Sequence, residues 1–497
     1  MHPAGAEVLS IKTPHVDWLT LSPELALLGA GAVCLMVAVL ATPAWRRPLG
    51  AFFALTGFIT AGVFAGVVYD RSADAAFEIG NAITRDRLGA LGAIIICGSG
   101  LLAVFVSYGH RLREEYTAEY YALLATAGAG MCFLVQANNL LTLFLGLEWF
   151  SISLYVICAI DMELETSLES GLKYLIIGSF GSAVLLFGSA LVYGATGQIE
   201  FSRIAASAEL DHTLLLAGLA MMLVGLAYKA SAAPFHQWTP DVYQGAPTPV
   251  TAFMSAATKA TALILILRVL RVAFPQEAHL WTVVLAVLAA ASLAIGNLAA
   301  LVQRNVKRML AYSSISHAGF MLIPIAANNA LGARALLYYL VPYCAMSVGA
   351  FGIVAARERE LQQPVTLDNL AGMGWERPFL GVAMWVFMLG FAGFPLTGGF
   401  VGKFYVFSAA YERGWIWLMI VGVAATLVSL YYYLGVVRAM YFRSSAELQL
   451  LPVGGSPPRE LTLQVGVGLA LVVTVGSFFA VQPLIDVARH AAQALAF

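Results

Sequence analysis

The chain of 497 residues is 60% hydrophobic and only 11% charged, and its mean hydropathy is +0.82. A soluble protein of this length needs far more charge to cover its surface, so lipid must cover much of this one. The formal net charge of −1 and the pI near 6.7 show no basic excess, which argues against nucleic-acid binding.

Fourteen apolar runs are long enough to cross a bilayer, which takes roughly 20 helical residues. They lie near 22–43, 49–69, 86–108, 117–136, 139–160, 169–195, 212–231, 248–274, 279–302, 306–326, 330–356, 378–411, 415–441 and 460–483. Glu24 opens the first run without a preceding basic region, which indicates a retained helix and not a cleaved signal. Because the connections are short, the sequence predicts an all-α, polytopic membrane bundle of about 14 transmembrane helices.

The cysteines lie in these apolar runs without the CxxC spacing of metal sites. They are Cys34, Cys97, Cys132, Cys158 and Cys344. This pattern predicts that they pack as small hydrophobic residues, with no metal site and no disulfide. No P-loop or strand–helix glycine motif indicates a nucleotide site.

Basic residues beside the spans predict the orientation of the bundle. The odd-numbered connections carry Arg46, Arg47, Arg111, Arg113, Arg304, Lys307, Arg308, Arg357, Arg359 and Arg443. The even-numbered connections carry chiefly Arg71, Arg85, Arg203 and Arg413. This balance places both termini outside the cytoplasm, although Arg268 and Arg271 lie on the wrong side for this rule.

Two spans contain prolines that should break them. The seventh runs into Ala-Pro-Phe-His-Gln-Trp-Thr-Pro at 233–240, and the twelfth contains Gly-Phe-Pro-Leu-Thr-Gly-Gly-Phe at 393–400. Pro234 and Pro395 each deprive the carbonyl four residues earlier of its partner. A broken helix is tolerated in a membrane only where it faces protein or a wet cavity.

The broken spans suggest an internal repeat. Spans 4–8 and spans 9–13 form two runs of five, and the broken span is the fourth of each run. Because five is an odd number, the second run crosses the membrane in the opposite orientation to the first. This pattern predicts two inverted five-helix repeats with the ion path at the breaks. The predicted units are helices 1–3 (1–116), the first repeat (117–274), the second repeat (275–443) and a C-terminal helix (444–497). Two unrelated proline kinks are the alternative.

Six titratable residues lie well inside predicted spans, although each costs at least about 2.5–3.5 kcal/mol at a helix centre. They are Glu148, Lys173, Lys229, Lys259, His317 and Lys403. Counting residues from the nearest connection places the first four at about 18–22 Å and His317 at about 16 Å from the predicted cytoplasmic side. In a hydrocarbon core of about 30 Å, this depth describes a row along the midplane.

Such a row suits proton transfer. Burial lowers the proton affinity of a lysine, and a neighbouring carboxylate raises it again. Separating Glu148 from Lys229 would therefore lower the lysine's proton affinity and eject its proton. Lys259 and His317 could accept that proton, and Lys403 beside the second break would be the last station. His236 and Asp241, in the loop after the seventh span, could feed protons inward or simply cap the loop. Static ion pairs that hold helices together are the alternative, and Lys173 fits either explanation.

Three strings resemble the antiporter-like membrane subunits of respiratory complex I. They are Tyr-Lys-Ala-Ser-Ala-Ala-Pro-Phe-His-Gln-Trp-Thr-Pro-Asp-Val-Tyr-Gln-Gly-Ala-Pro-Thr-Pro-Val (228–250), Gly-Asn-Leu-Ala-Ala-Leu-Val-Gln-Arg-Asn-Val-Lys-Arg-Met-Leu-Ala-Tyr-Ser-Ser-Ile-Ser-His-Ala-Gly (296–319) and Gly-Phe-Pro-Leu-Thr-Gly-Gly-Phe-Val-Gly-Lys-Phe (393–404). The resemblance is greatest to the N-type members, because Lys403 stands where M-type members carry glutamate and no long lateral helix follows the bundle. It implies that Glu148, Lys229 and Lys259 match the fifth-helix glutamate and the seventh- and eighth-helix lysines of the family. His317 and Lys403 then fall on the family's polar axis.

The resemblance also implies a proton-translocating subunit of a quinone-reducing enzyme with no cofactor or redox centre of its own. FMN, iron–sulfur clusters and quinone would belong to partner subunits. The expected setting is the bacterial inner membrane, beside lipid and subunits of the A, J, K, L and M types. Two alternatives stay open: a subunit of a sodium/proton antiporter or membrane-bound hydrogenase, and a structural scaffold whose buried charges only fix helix registry.

Overall fold

The computed structural model describes residues 16–110, 112–207, 211–443 and 460–495, which form a helical bundle. The helices of the first half are α1 Ser22–Leu40, α2 Pro43–Arg71, α3 Arg87–Ser107, α4 Thr117–Val135, α5 Leu140–Cys158, α6 Glu165–Thr196, α7 Phe201–Ala206, α8 His212–Lys229, α9 Trp238–Gly245, α10 Thr248–Phe253 and α11 Lys259–Ala273. Those of the second half are α12 Ala278–Leu301, α13 Val306–Ala327, α14 Ala330–Leu361, α15 Met373–Glu376, α16 Pro378–Ala392, α17 Gly398–Glu412, α18 Ile416–Phe442, α19 Leu461–Phe479 and α20 Val481–Gln493. A 3₁₀ turn covers Glu114–Tyr116, a π-helical turn covers Met254–Thr258, and strands β1 Ala76–Glu78 and β2 Ile83–Arg85 form one antiparallel ribbon.

The predicted membrane bundle is confirmed. Thirteen helical segments of the described chain are long and apolar enough to cross a membrane, and the twelfth predicted span is the broken pair α16 and α17. The last predicted span, 460–483, is wrong in extent, because α19 ends at Phe479 and a separate helix α20 follows. The ribbon was not predicted. The five-helix repeats and the unit boundaries stay predictions, and residues 444–459 of the last unit lie outside the described residues.

The connections alternate between two faces of the bundle, as the order of spans requires. Isolated bridges join Ile83 to Ala137 and Asn139 to Glu200, so the second, fourth and sixth connections share one face. A cavity described below is lined from the third, fifth, seventh, ninth and eleventh connections, which share the other. We refer to these as the outer face and the cytoplasmic face, as the basic residues predict.

The eighth, tenth and eleventh spans form the protein-enclosed centre. The eighth span is 100% buried and the tenth and eleventh are 94% buried, whereas the first, second and last spans expose much of their apolar surface. Helix ends are fixed by local chemistry. Asp86, Asn139, Asn305 and Asn329 accept hydrogen bonds from the third amide that follows, and Gly197 ends α6 with a positive φ.

Both predicted helix breaks are present. The seventh span ends at Lys229 and gives way to non-helical residues before α9, while α16 ends at Ala392 and α17 starts at Gly398. Gly393 and Leu396 have φ of 80° and 73° between the two halves. Pro234 and Pro395 themselves are exposed, whereas the helix ends beside them meet buried side chains: Trp238 Nε1 donates to the Tyr228 carbonyl and Lys403 Nζ to the Ala392 carbonyl.

Candidate functional site

Lys229 is buried at the end of α8, where the first helix break begins. Its Nζ donates to Ser151 Oγ on α5 over 2.7 Å. The Nζ also lies 5.3–5.8 Å from four ring centroids, those of Phe150, Tyr155, Tyr174 and Tyr228. Aromatic faces attract a cation without accepting its proton. The lysine therefore sits in a pocket of one hydroxyl and aromatic rings.

Glu148 precedes Ser151 by one turn on α5 and is close enough to act electrostatically on Lys229. The predicted direct pair is absent, because no nitrogen–oxygen contact within 4.0 Å joins these two described residues. Glu148 is half-buried, and its Oε1 is buried without a protein partner. Its helix exposes an apolar stripe formed by Leu141, Leu145, Ile152 and Val156. Glu148 thus faces partly toward this stripe and partly inward.

Unpartnered polar atoms gather around Lys229. Several of the buried atoms without a hydrogen-bond partner in the described chain lie on α5, α6, α8 and the segment that follows Lys229, on Glu148, Tyr155, Ser182, Tyr228, His236, Thr239 and Tyr243. Buried polar groups in proteins are normally satisfied by protein or by internal water. This concentration marks the surroundings of Lys229 as a region that favours internal water.

Lys259 begins α11 immediately after the π-helical turn Met254–Thr258. Its Nζ donates to the carbonyl and to the hydroxyl of Ser314 on α13, the latter over 2.6 Å. Ser314 Oγ lies 3.0 Å from Tyr343 Oη, which in turn donates to the Ser255 carbonyl within the π turn. A π turn inserts an extra residue in a helix and frequently accompanies a functional site. Here it directs Lys259 toward α13.

His317 lies one turn after Ser314 on α13 and is buried. Its Nδ1 is 2.9 Å from Tyr339 Oη and its Nε2 is 3.1 Å from Tyr433 Oη. Tyr433 Oη also hydrogen-bonds to Ser313 Oγ. Both ring nitrogens therefore meet hydroxyls, which can donate or accept, so either tautomer of the ring is satisfied.

Lys403 is buried on α17 beside the second break. Its Nζ donates to the Ala392 carbonyl at the end of α16 over 3.3 Å and to Thr426 Oγ1 over 3.5 Å. The Nζ lies 4.3 Å from the ring centroid of Phe320, whose ring also contacts His317. The break thus supplies an end-of-helix carbonyl to the last predicted station.

The buried lysines of the row differ from the other buried cations in their partners. Arg268 is paired with Asp86, Arg357 with Glu360 and Glu376, and Lys307 with Glu358. In the part of the chain that the structure describes, no carboxylate lies within 4.0 Å of the Nζ of Lys229, Lys259 or Lys403, and their partners are hydroxyls and carbonyls. A carboxylate holds a lysine in its charged form, whereas neutral acceptors also tolerate the neutral amine.

A cavity of about 590 Å³ opens on the cytoplasmic face. Asp241 lines it and accepts from Arg308 over 2.6 Å and from Lys173 over 3.2 Å. Burial alone would raise the pKa of Asp241, but these two hydrogen bonds lower it below its ordinary value. Asp241 therefore stays ionised at neutral pH and anchors an ion cluster at the mouth of the cavity.

The expectation that Lys173 shares the buried depth of the row is wrong. Its side chain is 40% exposed, and it pairs with Glu169 over 2.7 Å as well as with Asp241. Lys173 thus belongs to the cavity mouth. His236 lies within the first break, half-buried, with Nδ1 buried and unpartnered, while Pro234 is exposed there. The roles of Lys173 and His236 as proton carriers stay predictions.

Sequence reasoning missed the groups that hold the row together. Ser151, Ser314, Tyr339, Tyr343 and Tyr433 carry no charge and occur among other apolar and small residues, so their sequence context gives no signal. The string Ser-Ser-Ile-Ser-His (313–317) is the one place where a cluster of hydroxyls beside a buried histidine could have indicated them.

Comparison with known proteins places residues 137–429 in the family described as NADH:quinone oxidoreductase/Mrp antiporter, TM. Three curated relatives are named NADH-quinone oxidoreductase subunit N, one of them subunit N 2. The chain is 41% identical to that of Trichlorobacter lovleyi (86% of this chain, 88% of the relative), 43% identical to that of Parvibaculum lavamentivorans (76% and 77%) and 37% identical to the subunit N 2 of Roseiflexus castenholzii (97% and 98%).

Solved structures show the same fold. A chain of the respiratory complex I from Thermus thermophilus with bound aureothin is 31% identical, with a TM-score of 0.78 over 93% of this chain and 98% of that one. A chain of the archaeal membrane-bound sulfane sulfur reductase, an archaeal respiratory membrane complex, is 22% identical with a TM-score of 0.84 over 96% and 98%. A chain of the Mrp complex from Dietzia sp. DQ12-45-1b is 21% identical with a TM-score of 0.83 over 96% and 99%. The last two show likeness of fold alone.

Proposed function

The chain belongs to the NADH:quinone oxidoreductase/Mrp antiporter family, and on that premise we propose that it is the N-type, proton-translocating membrane subunit of an NADH–quinone oxidoreductase. Protons would move through the row Glu148, Lys229, Lys259, His317 and Lys403. The free energy would come from quinone reduction in other subunits, so the enzyme activity belongs to the assembly.

One observation carries this proposal: the buried lysines of the row lack carboxylate partners, although the other buried cations of the described chain have them. A scaffold that uses charge to fix registry needs opposite charges in contact. Neutral hydroxyl and carbonyl acceptors instead allow a lysine to lose its proton without leaving a buried anion behind. The row is therefore better suited to proton exchange than to static attachment.

The contacts support an order of transfer within each half of the row. In this proposal the cavity on the cytoplasmic face would admit water toward the first half, where several polar atoms near Lys229 lack protein partners. From Lys259, Ser314 and Tyr343 lead along α13 and α14 toward His317, and Tyr433 binds the other side of the imidazole. Lys403 then lies across the Phe320 ring from His317. His236 and Lys173 are candidates for the entry side.

Glu148 is suited to couple this subunit to a neighbour. It is half-buried on a helix whose exposed face is apolar, so a partner helix packed on that face would reach its carboxyl. We assign this face to contact with another membrane subunit of the assembly, within the set of A, J, K, L and M types. A positive charge brought there would draw Glu148 away from Lys229 and release the lysine's proton.

FMN, iron–sulfur clusters and quinone would be bound by partner subunits, and the described residues contain no group of three or more His, Cys, Asp or Glu side chains arranged for a metal. The proposed location is the bacterial inner membrane, as a multi-pass subunit. An antiporter or hydrogenase subunit is the second candidate. The names of relatives 36–43% identical over most of the chain favour the oxidoreductase. Copurification with NADH-oxidising, iron–sulfur subunits tests this choice.

Lys403 offers a sharp test of the relay. Lys403→Arg keeps a positive charge but holds its proton at any accessible pH, whereas Lys403→Met removes both. We expect both variants to assemble with the complex and to pump fewer protons per quinone reduced, measured with a pH-sensitive dye in sealed vesicles. Normal pumping in the arginine variant together with loss in the methionine variant would show that only the charge is needed, and would favour the scaffold.

A further inference from the structure

A second buried polar cluster lies at the outer face, away from the row. It is formed by the outer ends of the first, third, fourth and eighth spans and by strand β2. Its members are at most 4% exposed: Glu24, Thr84, Asp86, Gln136 and Arg268. The proposed relay uses none of them, and a carboxyl buried in a membrane bundle is a functional candidate by default.

Glu24 is held by a single side-chain hydrogen bond. Gln136, at the end of α4, donates from Nε2 to Glu24 Oε1 over 2.7 Å. The carbonyl of Gln136 accepts the backbone amide of Thr84 over 2.8 Å, which fastens strand β2 to the end of α4. Three oxygens of this group are buried without a protein partner: Glu24 Oε2, Gln136 Oε1 and Thr84 Oγ1. Such oxygens are those at which internal water binds in folded proteins.

The neighbouring Arg268 supplies no counter-charge to Glu24, because its charge is paired with Asp86. Arg268 binds both carboxylate oxygens of Asp86, over 2.6 and 2.8 Å, and its Nε donates to the Val135 carbonyl over 3.1 Å. Among the ion pairs of the described chain, none includes Glu24. An ionised carboxylate without a counter-charge is costly in such a place, whereas a carboxyl with a water-binding oxygen can accept and release a proton.

The cluster lies directly beneath the outer surface. Thr84 is followed on β2 by Arg85, which pairs with Asp17 over 2.8 Å at side-chain exposures of 27% and 22%. Arg85 Nε is itself buried without a partner. Among the described residues, strand β2 and this ion pair therefore lie between the cluster and the outer surface.

We propose that Glu24 is a proton-binding site that exchanges its proton with the outer side of the membrane through water held by Gln136 and Thr84. Resting on the proposed function, the site would serve as a release point for protons leaving the first half of the subunit. Lys259 and Arg268 lie on the same buried helix α11, nine residues or about 14 Å apart, so the eighth span connects the depth of the row with this cluster.

Infrared difference spectroscopy on the whole complex in sealed proteoliposomes tests this assignment. The pH is stepped on one side of the membrane only, and the carbonyl stretch of protonated carboxyl groups is followed in time. We expect a band that responds to a step on the outer side, that is lost in Glu24→Gln and that shifts in Glu24→Asp. Glu119→Gln is the matched control, because Glu119 is a half-buried glutamate at the opposite end of α4 and should leave this band unchanged.

Thr84→Val tests the route, since it removes the unpartnered hydroxyl while keeping the shape and the backbone amide. Loss of one hydrogen-bonding group should slow the response to the outer step by about fivefold without removing the band. A band that is present in Glu24→Gln, or that responds equally to a step on the cytoplasmic side, would overturn the proposal. If Glu24→Gln removes the band while pumping stays normal, Glu24 exchanges a proton but releases none for the relay, and the Lys403 experiment is unaffected.

Discussion

Replacing Tyr433 with phenylalanine removes one hydroxyl from the centre of the row and changes little else. That hydroxyl lies 3.1 Å from His317 Nε2 and also binds Ser313, while Tyr339 retains the other ring nitrogen. Tyr432→Phe is a matched control, because Tyr432 is also buried, but its hydroxyl donates to Asn297 Oδ1 and makes no hydrogen bond to the imidazole in the described part of the chain.

The expected size follows from the buried imidazole nitrogen that loses its partner. Leaving a buried polar group unsatisfied costs about 1–3 kcal/mol. If that cost falls on the state in which His317 carries the proton, transfer slows by about 5- to 150-fold. The free energy of unfolding should differ little between Tyr433→Phe and Tyr432→Phe, because each variant loses one buried hydroxyl.

The assay compares both variants in sealed vesicles, with quinone reduction and proton translocation recorded together. We expect Tyr433→Phe to translocate protons several-fold more slowly than Tyr432→Phe at equal amounts of assembled complex. Equal rates in the two variants would refute the assignment of His317 to the path, because only one of the two hydroxyls contacts it.

Three further predictions concern stability. Alanine at Gly402 would place its Cβ 2.2 Å from the Tyr339 ring, so we expect a loss of about 1–3 kcal/mol, measured as a lower unfolding temperature. Arg268→Met would leave Asp86 buried without its partner at a cost of about 3–5 kcal/mol, and we expect little assembled subunit on immunoblots of membranes. Burial, with neighbouring cations, lowers the pKa of His110 to about 3, so the unfolded chain binds the proton more readily and stability should fall as the pH drops below about 6.5. His110→Gln should flatten that fall in thermal unfolding curves.

Each of these predictions has its own control. Gly476→Ala meets nothing within 4 Å, and an equal loss of stability there would contradict the packing explanation. Adding Asp86→Asn to Arg268→Met removes the stranded charge but keeps an acceptor for the end of α3, so the double variant should recover much of the assembly. An unchanged pH dependence in His110→Gln would exclude that histidine as its source.

The sequence predicted the features that the bilayer itself dictates. The spans follow from the length of apolar runs, because hydrocarbon accepts no unsatisfied backbone. The breaks follow from proline, and the burial cost of a charge singled out Lys229, Lys259 and Lys403, which are buried in the structure. Arg268, which broke the rule for orientation, is explained by its buried pairing with Asp86 at the outer face.

Depth alone could not place Lys173, because a residue count fixes the height of a side chain but not its direction around the helix axis. Tyr174 points inward and is buried, whereas Leu172 and Ile176 are exposed. The hydroxyl partners of His317 could not be predicted either, because Tyr339 on α14 and Tyr433 on α18 contact α13 only in the folded bundle. Such contacts leave no local periodic pattern to detect.

The π turn ahead of Lys259 has a consequence for how the eighth span can vary. Five residues, Met254–Thr258, occupy a wide turn, which amounts to one surplus residue in an otherwise regular helix. Because the wide turn absorbs that residue, deleting one of the five would restore regular α-helical winding and leave the segments before and after the turn in nearly their present relative orientation. The eighth span can therefore gain or lose one residue at this turn while Lys259 keeps its contact with α13 and α10 keeps its packing against α14.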